Sequence, residues 1–532
     1  MRVGIILNSD IAVASWQYNC ILKLKNTKII FFVSNEENSN FQIKNNYIKN
    51  FIYYIINLVS IRQKKRKINF SSFKDYSVKN ITYKTDSKNW QHFNSESINI
   101  ILQEKPDFIY KCGMQLLKIS NQLQFIPIIS HHHGDPSKYR GRPAGFYEIL
   151  KGEKRLGQIV QILSNRLDAG QIISYGETSI YPWSYRKTLN DAYNASPLIF
   201  AKALKNLESG IITNKEKDGI NYKLPSNYLG IYFIFREISN LVARIIYGIF
   251  YEKYWNVGYC NKFLIKNIDT PIGIFDYINS KSSNFSSLSI VNKYRFYADP
   301  FILDSKIILE GLNKKSRKGD LLVIDIKTNS IIESFNLKGK HLSYPYTNKS
   351  LKKTFIYPDS GDLNNVLIFQ TNKNIFKQRS KILSLQKGLT DPSVLEHEGL
   401  FFLFANYPDE KCILRLWVSS DPMFRDSEEH PESPVCISPL GGRSGGRIFV
   451  FGKKIYRFGQ DFSGDYGNGL ILFEINSLTK NNFSETAISS FKFKDSFKGP
   501  HTIDFSSNII TWDYYHEKFN LLAGINRIIS KF

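Results

Sequence analysis

Hydrophobic residues in the first part of the chain fall into short apolar runs separated by amphipathic stretches. Met1 to Leu7, Ile29 to Val33 and, after the breaker Lys105-Pro106, Asp107 to Lys111 have the continuous apolar character of buried strands, while Asn45 to Ile61 has helical spacing. Parallel strands need crossover connections, so this rhythm predicts βαβ units and a doubly wound, Rossmann-like α/β domain. The pattern fades near Leu224-Pro225-Ser226-Asn227, and Leu229 to Tyr251 then reads as one long, aromatic-rich helix. Arg236, Glu237 and Arg244 interrupt it. It is too short and too charged for a spanning segment and is predicted to link domains or to lie on a membrane surface.

From about Trp255 the pattern changes to short β-type runs with turn residues between them, and a loose repeat emerges. Its units are ADPFILDSKIILEG around Asp299, YPYTNKSLKKTFIYPD from Tyr344, DPSVLEHEGLFFLFAN from Asp391, GGRIFVFGKKIYRFGQD from Gly445 and HTIDFSSNIITWDY from His501. Each has a polar or Pro-marked entry, a hydrophobic strand, a turn and a second aromatic-rich strand, at a spacing of roughly 45 to 55 residues, the period of a four-stranded propeller blade. Chance self-similarity in an all-β region is the competing explanation; the recurrent Asp-Pro before strand-turn-strand counts against it. The expected organisation is an α/β domain over 1–225, a helical linker over 226–253 and an all-β five-bladed propeller over 254–532.

Composition agrees with more than one folded core. The chain has 532 residues, 42% of them hydrophobic and 14% aromatic, which is enough apolar surface for order nearly throughout. The net charge of +24 would suit nucleic acid, a phosphorylated substrate or an anionic membrane, but Lys, Asn and Ile are abundant everywhere and the excess is not gathered in one tail. No nucleic-acid partner is expected. The basic run Arg62 to Lys67 follows a predicted helix; a solvated loop is the ordinary reading and a phosphate grip the alternative. Five cysteines without a CxxC pair argue against a disulfide framework, and the N-terminus reads as a first strand with no signal peptide, so the expected location is the cytoplasm, with possible membrane association through residues 229–251.

The stretch richest in chemistry contains SHHHGDPSKYRGRPAG from Ser130 and LSNRLDAGQII from Leu163, preceded by PDFIYKCGMQLLK from Pro106. These motifs resemble the folate-dependent formyltransferase domain shared by glycinamide ribonucleotide transformylase, methionyl-tRNA formyltransferase and the sugar-nucleotide N-formyltransferases. That family has Asn-x-His, a loop ending Tyr-Arg-Gly with its Arg eight residues after the His, and Leu-Asp-x-Gly before the next strand. Arg140 places the histidine at His132, and Asp168 falls in the second motif. The resemblance covers about residues 1 to 225. It implies 10-formyltetrahydrofolate as co-substrate, His132 and Asp168 as catalytic groups, and a cofactor slot formed by Met114, Gln115, Leu116 and Leu117 on one side and Arg166 and Leu167 on the other. Without it, MQLL would be assigned to core.

Formyl transfer needs a donor for the developing oxyanion and an acceptor for the amine's proton. An imidazole and a carboxylate supply both. Where the family has Asn, this chain has Ser130, which would act through a water or be replaced by His131 or His133; lost or altered activity is the alternative. Three consecutive histidines on an extended segment point to alternate sides, so no metal site is expected. Arg140 is a further candidate for substrate binding.

The ADPF and TDPS units also resemble the propellers of arabinanase and xylosidase-type glycoside hydrolases and, more closely, the propeller ahead of the glycosyltransferase domain in plant sphingolipid-glycosylating enzymes. ADPF, His341 to Pro345, DPSVLEHEG, YRFGQD and Gly-Pro-His-Thr carry that likeness. A hydrolase would need converging carboxylates, for which Asp299, Asp391 and Asp461 are candidates; Asp before Pro also commonly starts a turn. The expected role is binding or presentation of a carbohydrate, with Asp299 and Asp391 as candidate contacts. Together the two resemblances imply formyl transfer to an amino sugar, nucleotide- or lipid-linked, in surface-glycan synthesis. The rivals are a non-catalytic glycan-binding protein on a degenerate scaffold, a methionyl-tRNA-type enzyme, and a propeller glycosidase or glycosyltransferase accessory.

Overall fold

Strand Arg2–Asn8 lies at the centre of a nine-stranded sheet and is buried along its length, as a central parallel strand covered on both faces must be. The computed structural model describes residues 1–37, 46–60, 64–212, 218–261, 263–282, 284–350, 352–371, 376, 379–381, 387–494 and 497–529. They divide into two compact units, Met1–Val242 and Ala243–Phe532.

In the first unit, Lys28–Glu36 and Tyr76–Thr85 add in parallel on one side of the central strand. The chain then returns past it, and Phe108–Lys111 and Ile128–His132 add in parallel on the other side. Arg155–Ile162 and Gln171–Ser179 extend that edge antiparallel, and Trp90–Phe93 and Leu116–Leu117 extend the opposite one. The reversal of strand order between Arg2–Asn8 and Phe108–Lys111 is a topological switch point, where open α/β sheets place a crevice at the carboxyl ends of the strands.

The helical stretch expected over Asn45 to Ile61 is broken into Asn46–Lys49 and Phe51–Ser60; Asn45 and Ile61 lie outside the described residues. Of the basic run, Arg62 and Gln63 also lie outside them, and Lys65–Lys67 pairs with Ala12–Ala14 as a short strand. The long helix is Asn227–Phe250. Within the first unit Asn227 ties it to the broken helix, accepting from Ile52 N at 3.0 Å and donating to Ile48 O at 2.8 Å. Phe233 anchors it on Phe146, with ring centroids 4.3 Å apart. Among the described residues no helix is long and apolar enough to cross a membrane.

The second unit is mostly antiparallel sheet. Three meanders follow one another: Tyr294–Leu303 to Ser330–Phe335, Ser343–Ser350 to Arg379–Lys381, and Thr390–His397 to Glu428–Glu429. A fourth, Leu440–Phe451 to Phe483–Phe491, is joined through Ile503–Phe505 to Ile510–Phe519, which pairs with the unit's early strand Tyr251–Cys260. The first strands of these sets touch in a cycle. Tyr294–Leu303 meets Ser343–Ser350, which meets Thr390–His397, which meets Leu440–Phe451, which meets Ile503–Phe505, which returns to Tyr294–Leu303. The pairing of Tyr251–Cys260 with Ile510–Phe519, in register from Tyr251↔Phe519 to Cys260↔Ile510, ties the unit's two ends together.

Candidate active site

Strand register alone assembles a polar row on one face of the first unit's sheet. Ile6 pairs with Lys111, Ile109 with Ile128, Ser130 with Gln161, and His132 with Ile159. Because alternate residues share a face, Asn8, Lys111, Ser130, His132 and Gln161 continue the face begun by Ile6, Ile109 and Ile128. Those isoleucines belong to one buried apolar cluster. At the carboxyl ends the face therefore turns from apolar to polar, beside the switch point.

His132 and Asp168 meet there. Nδ1 of His132 lies 3.3 Å from Asp168 Oδ2, and its Nε2 lies 3.1 Å from Tyr139 O, so the ring is fixed in orientation from both sides. Asp168 takes a left-handed φ of +46° and accepts from Gly141 N at 2.8 Å, which binds the second motif to the Tyr-Arg-Gly loop. Gly134 is required beside the histidine, since a Cβ there would stand 2.6 Å from His132 Nε2.

The neighbouring histidines occupy the opposite face. His131 Nδ1 is 3.2 Å from Tyr110 OH, His133 Nε2 is 2.9 Å from Ser196 Oγ, and Trp16 packs edge-on against both rings. Burial pushes His131 down to about 4 and His133 well below its ordinary value. Neither can replace the amide missing at Ser130, because strand alternation turns both away from the pair. Arg140 lines the small pocket around His132, yet its Nε donates to Gly219 O at 2.8 Å; it anchors the loop to a backbone carbonyl.

The residues expected to form the cofactor slot take separate positions. Met114 and Leu117 are buried in the core, Leu116 and Leu117 pair with Trp90 and Gln91, and Gln115 is exposed. Arg166 is exposed opposite Asp218, and Leu167 is half-buried. The two segments do meet, but one step further on. Asn165 donates to Ile119 O at 3.1 Å and accepts from Ile119 N at 2.8 Å, beside a cavity of about 180 Å³ walled by Ile126, Ile128, Ile162 and Leu163 and edged by Ser120 and Ser164. Asn121, Gln124 and Asn165 also line it, so its lining is as polar as it is apolar.

Three groups here were not singled out from the sequence. Lys111, adjacent in register to Ser130, donates to Met114 O at 3.2 Å; burial pushes its ammonium down to about 8, opposed by Cys112 and Asp168. Gln161 accepts from Gly170 N at 2.9 Å, leaving its Nε2 buried without a hydrogen-bond partner. Glu148, in the pocket with His132, is 3% exposed and burial raises its carboxyl to about 8. A lysine ending an apolar strand and a glutamate inside an apolar helical turn are the signals that could have found two of them.

In the second unit, three first strands share one irregularity. Their register shifts between Ala298 and Phe301, between Ser343 and Tyr346, and between Thr390 and Ser393. At these bulges Asp299, Tyr344 and Asp391, each preceding a proline, take positive φ of 52°, 45° and 47°. This corrects the turn-starter reading of the two aspartates. Both lie inside strands and are buried, because a bulge inserts an extra residue and re-aims its side chain inward. His501 sits between carboxylates, with Nε2 3.2 Å from Asp299 Oδ1 and Nδ1 2.8 Å from Asp513 Oδ2. Burial lowers the imidazole, but Asp513 and Asp299 outweigh it and raise it to about 10; the ligand atoms of Asp299, His501 and Asp513 also lie close enough together to hold a metal ion. Asp391 pairs with Arg443 and accepts from Gln460 Nε2 at 2.7 Å. Asp461 instead serves its own turn, accepting from Ser463 N at 2.7 Å and Asn468 Nδ2 at 2.8 Å. Asp299 and Arg443 line a cavity of about 480 Å³ with Glu310, Asp359, Asn406 and Tyr466.

Residues 285–506 match the family model described as glucosamine inositolphosphorylceramide transferase 1, N-terminal. Curated proteins named glucosamine inositolphosphorylceramide transferase 1 are similar. The one from Oryza sativa subsp. japonica is 31% identical over 156 residues, covering 28% of this chain and 21% of that protein. The one from Arabidopsis thaliana is 25% identical over 169 residues, covering 30% and 22%. The chain thus spans about a fifth of the length of the curated relatives it matches. Solved structures similar to part of the chain are formyltransferase folds. Glycinamide ribonucleotide transformylase 1 from Symbiobacterium toebii is 12% identical, covering 42% of this chain and 93% of that one, with a TM-score of 0.27. A sugar N-formyltransferase from Shewanella sp. is 14% identical, covering 42% and 76%, with a TM-score of 0.25.

Proposed function

We propose that the first unit transfers a formyl group from 10-formyltetrahydrofolate to the primary amine of an amino sugar. The carrying observation is the His132–Asp168 pair at the carboxyl ends of the strands, beside the switch point. Bound folate would supply the electrophilic formyl carbon from the cavity between Ile119 and Asn165. As the amine nitrogen bonds to the formyl carbon, the bond from that carbon to the folate nitrogen breaks; Asp168, held by Gly141 N and His132, takes the proton that the amine loses and passes it to the departing nitrogen, directly or through a water. The Lys111 ammonium, on the same face, donates to the oxygen on which negative charge develops. Preorganised charge of this kind contributes on the order of 10² or more in rate. Ser130 favours a second reading, a degenerate scaffold that binds a glycan without chemistry; Lys111 beside it weighs against that reading, because it restores a donor where the amide is missing.

The acceptor is proposed to be lipid-linked, with the enzyme on a membrane surface. Tyr228, Ile231, Tyr232, Phe235 and Ile238 stand exposed along the long helix, and Phe51, Ile55 and Leu58 stand exposed on the helix it packs against. Such a face suits the headgroup boundary of an anionic bilayer, and the chain's net charge is +24. We further propose that the five strand sets of the second unit are the blades of a five-bladed propeller, a reading supported by the cyclic contact of their first strands.

The test is incubation of the full chain with 10-formyltetrahydrofolate and a panel of nucleotide- and lipid-linked amino sugars, following tetrahydrofolate release and the mass of the sugar product. Amine-dependent release with a formylated product is expected. Folate binding without release for any amine would overturn the catalytic reading in favour of the degenerate scaffold.

A further inference from the structure

One cavity of the second unit is crowded with carboxylates, Asp299, Glu310, Asp359 and Asp362, against the two cations Arg443 and Lys411. Asp299, Glu310 and Asp359 line it, and Asp391 lies close enough to act on both Glu310 and Asp359. Two of these carboxylates are matched. Asp299 has the His501 imidazolium and accepts from Thr502 Oγ1 at 2.8 Å, and Asp391 has Arg443 and Gln460.

Neither Arg443 nor His501 is in salt-bridge contact with Glu310 or Asp359, although each acts at longer range, Arg443 on Asp359 and His501 on Glu310. Oε1 of Glu310 is in hydrogen-bond geometry with no donor; His341 Nε2 lies 3.3 Å from it, burial lowers that imidazole, and its Nδ1 accepts from Gly319 N at 3.0 Å. Asp359 has the amide of Gly361 at 2.8 Å. Burial and then the neighbouring carboxylates raise Glu310 well above its ordinary value and Asp359 to about 7, the signature of acids buried and crowded together.

An independent observation points the same way. Asn406, in the cavity wall and 1% exposed, spends its Nδ2 on the carbonyls of Glu410, Ile413 and Gly442, and its Oδ1 has no partner. Gln460 likewise donates from Nε2 to Asp391 and Ser444 O, and its Oε1 has none. Buried acceptors without donors are rare in native proteins, because each forfeits its hydration. Glu310 Oε1, Asn406 Oδ1 and Gln460 Oε1 are acceptors, while His501 Nδ1, a donor, faces Asp513 away from hydrogen-bond geometry. A guest that satisfies these acceptors would bring positive charge and donors, and would lie beside Tyr407, Phe462 and Tyr466, rings that Arg415 and Arg443 already face.

We propose that this cavity binds a primary ammonium sugar, its ammonium held by Glu310 and Asp359 and a hydroxyl by Asn406. The assignment rests on the second unit alone and does not depend on formyl transfer. Ion pairing with desolvated carboxylates discriminates an ammonium from an amide or hydroxyl at the same carbon.

The test is calorimetric titration of the full chain with glucosamine, N-acetylglucosamine and glucose. Glucosamine is expected to bind at least about tenfold more tightly than either neutral sugar, as loss of a charge-assisted contact implies. Glu310→Gln and Asp359→Asn should each abolish most of that preference, whereas His132→Ala in the first unit should leave it intact. The comparison of three sugars on the unaltered protein stands even where a variant fails to fold. Equal affinities, no binding of any of the three, a preference unchanged in both cavity variants, or cleavage of 4-nitrophenyl glucosaminide would overturn the proposal.

Discussion

His132 Nδ1 and Asp168 Oδ2 stand 3.3 Å apart, one at the end of a strand and the other on a left-handed loop residue. Neither group can be moved independently, since Gly141 N holds the carboxylate and Tyr139 O faces the other ring nitrogen. His132→Ala and Asp168→Asn are each expected to lower kcat/KM for formyl transfer by about 10² or more, and the double variant should be scarcely worse than either. Fully additive losses in steady-state kinetics would mean that the two act separately.

Lys111 is expected to matter through its charge. Lys111→Met should reduce kcat by about 10² with little change in KM, because the donor acts on charge that develops during the reaction. Ser130→Asn in that background should recover part of the loss, since it places an amide on the same face one strand away. A kcat unaltered by Lys111→Met would remove the ammonium from the mechanism.

How much of this was legible in the sequence follows from which forces act locally. The apolar runs at Ile29 and Asp107 and the long helix follow from periodicity, whereas the pairing of His132 with Asp168 was implied only by the resemblance of their motifs to a known family. The broken helix between Asn46 and Ser60 follows instead from Asn227, 175 residues beyond Ile52, capturing the backbone where the turn fails. The place of Asp299 and Asp391 inside strands was hidden for a similar reason. An Asp-Pro step starts a turn unless strands on both sides continue through it, and the bulge that lets them continue is set by strands far along the chain. Lys111, Gln161 and Ser130 became a constellation only through register, which no single strand specifies.

Glu148 couples stability to pH. An ordinary glutamate near 4.5 ionises well before this one, raised to about 8 by burial, so between those values the unfolded chain has lost a proton that the fold retains. The folded state then binds more protons, and stability falls as pH rises through that window. Glu148→Gln removes the penalty. Chemical denaturation should show the variant equal to the unaltered protein near pH 4 and more stable by on the order of a few kcal/mol at pH 8 to 9. A difference that does not grow with pH would contradict a buried, neutral carboxyl.

The exposed helix face yields the last expectation. Phe235 and Leu58 are 66% and 78% exposed, and neither supports the core, so a charge at either costs little folding stability. On a bilayer the same change is expensive, because an apolar side chain that entered the headgroup boundary is replaced by one that must stay hydrated. Full-length protein should sediment with vesicles containing phosphatidylserine, more weakly as salt rises, while Phe235→Asp and Leu58→Asp should remain in the supernatant with unchanged Tm. Salt sensitivity separates this from simple stickiness, since apolar adsorption alone does not weaken with ionic strength. If both variants sediment like the parent, the helix face is not the membrane surface; if the parent instead forms a salt-resistant dimer in sedimentation velocity that the variants lose, the same residues meet a second copy of the chain.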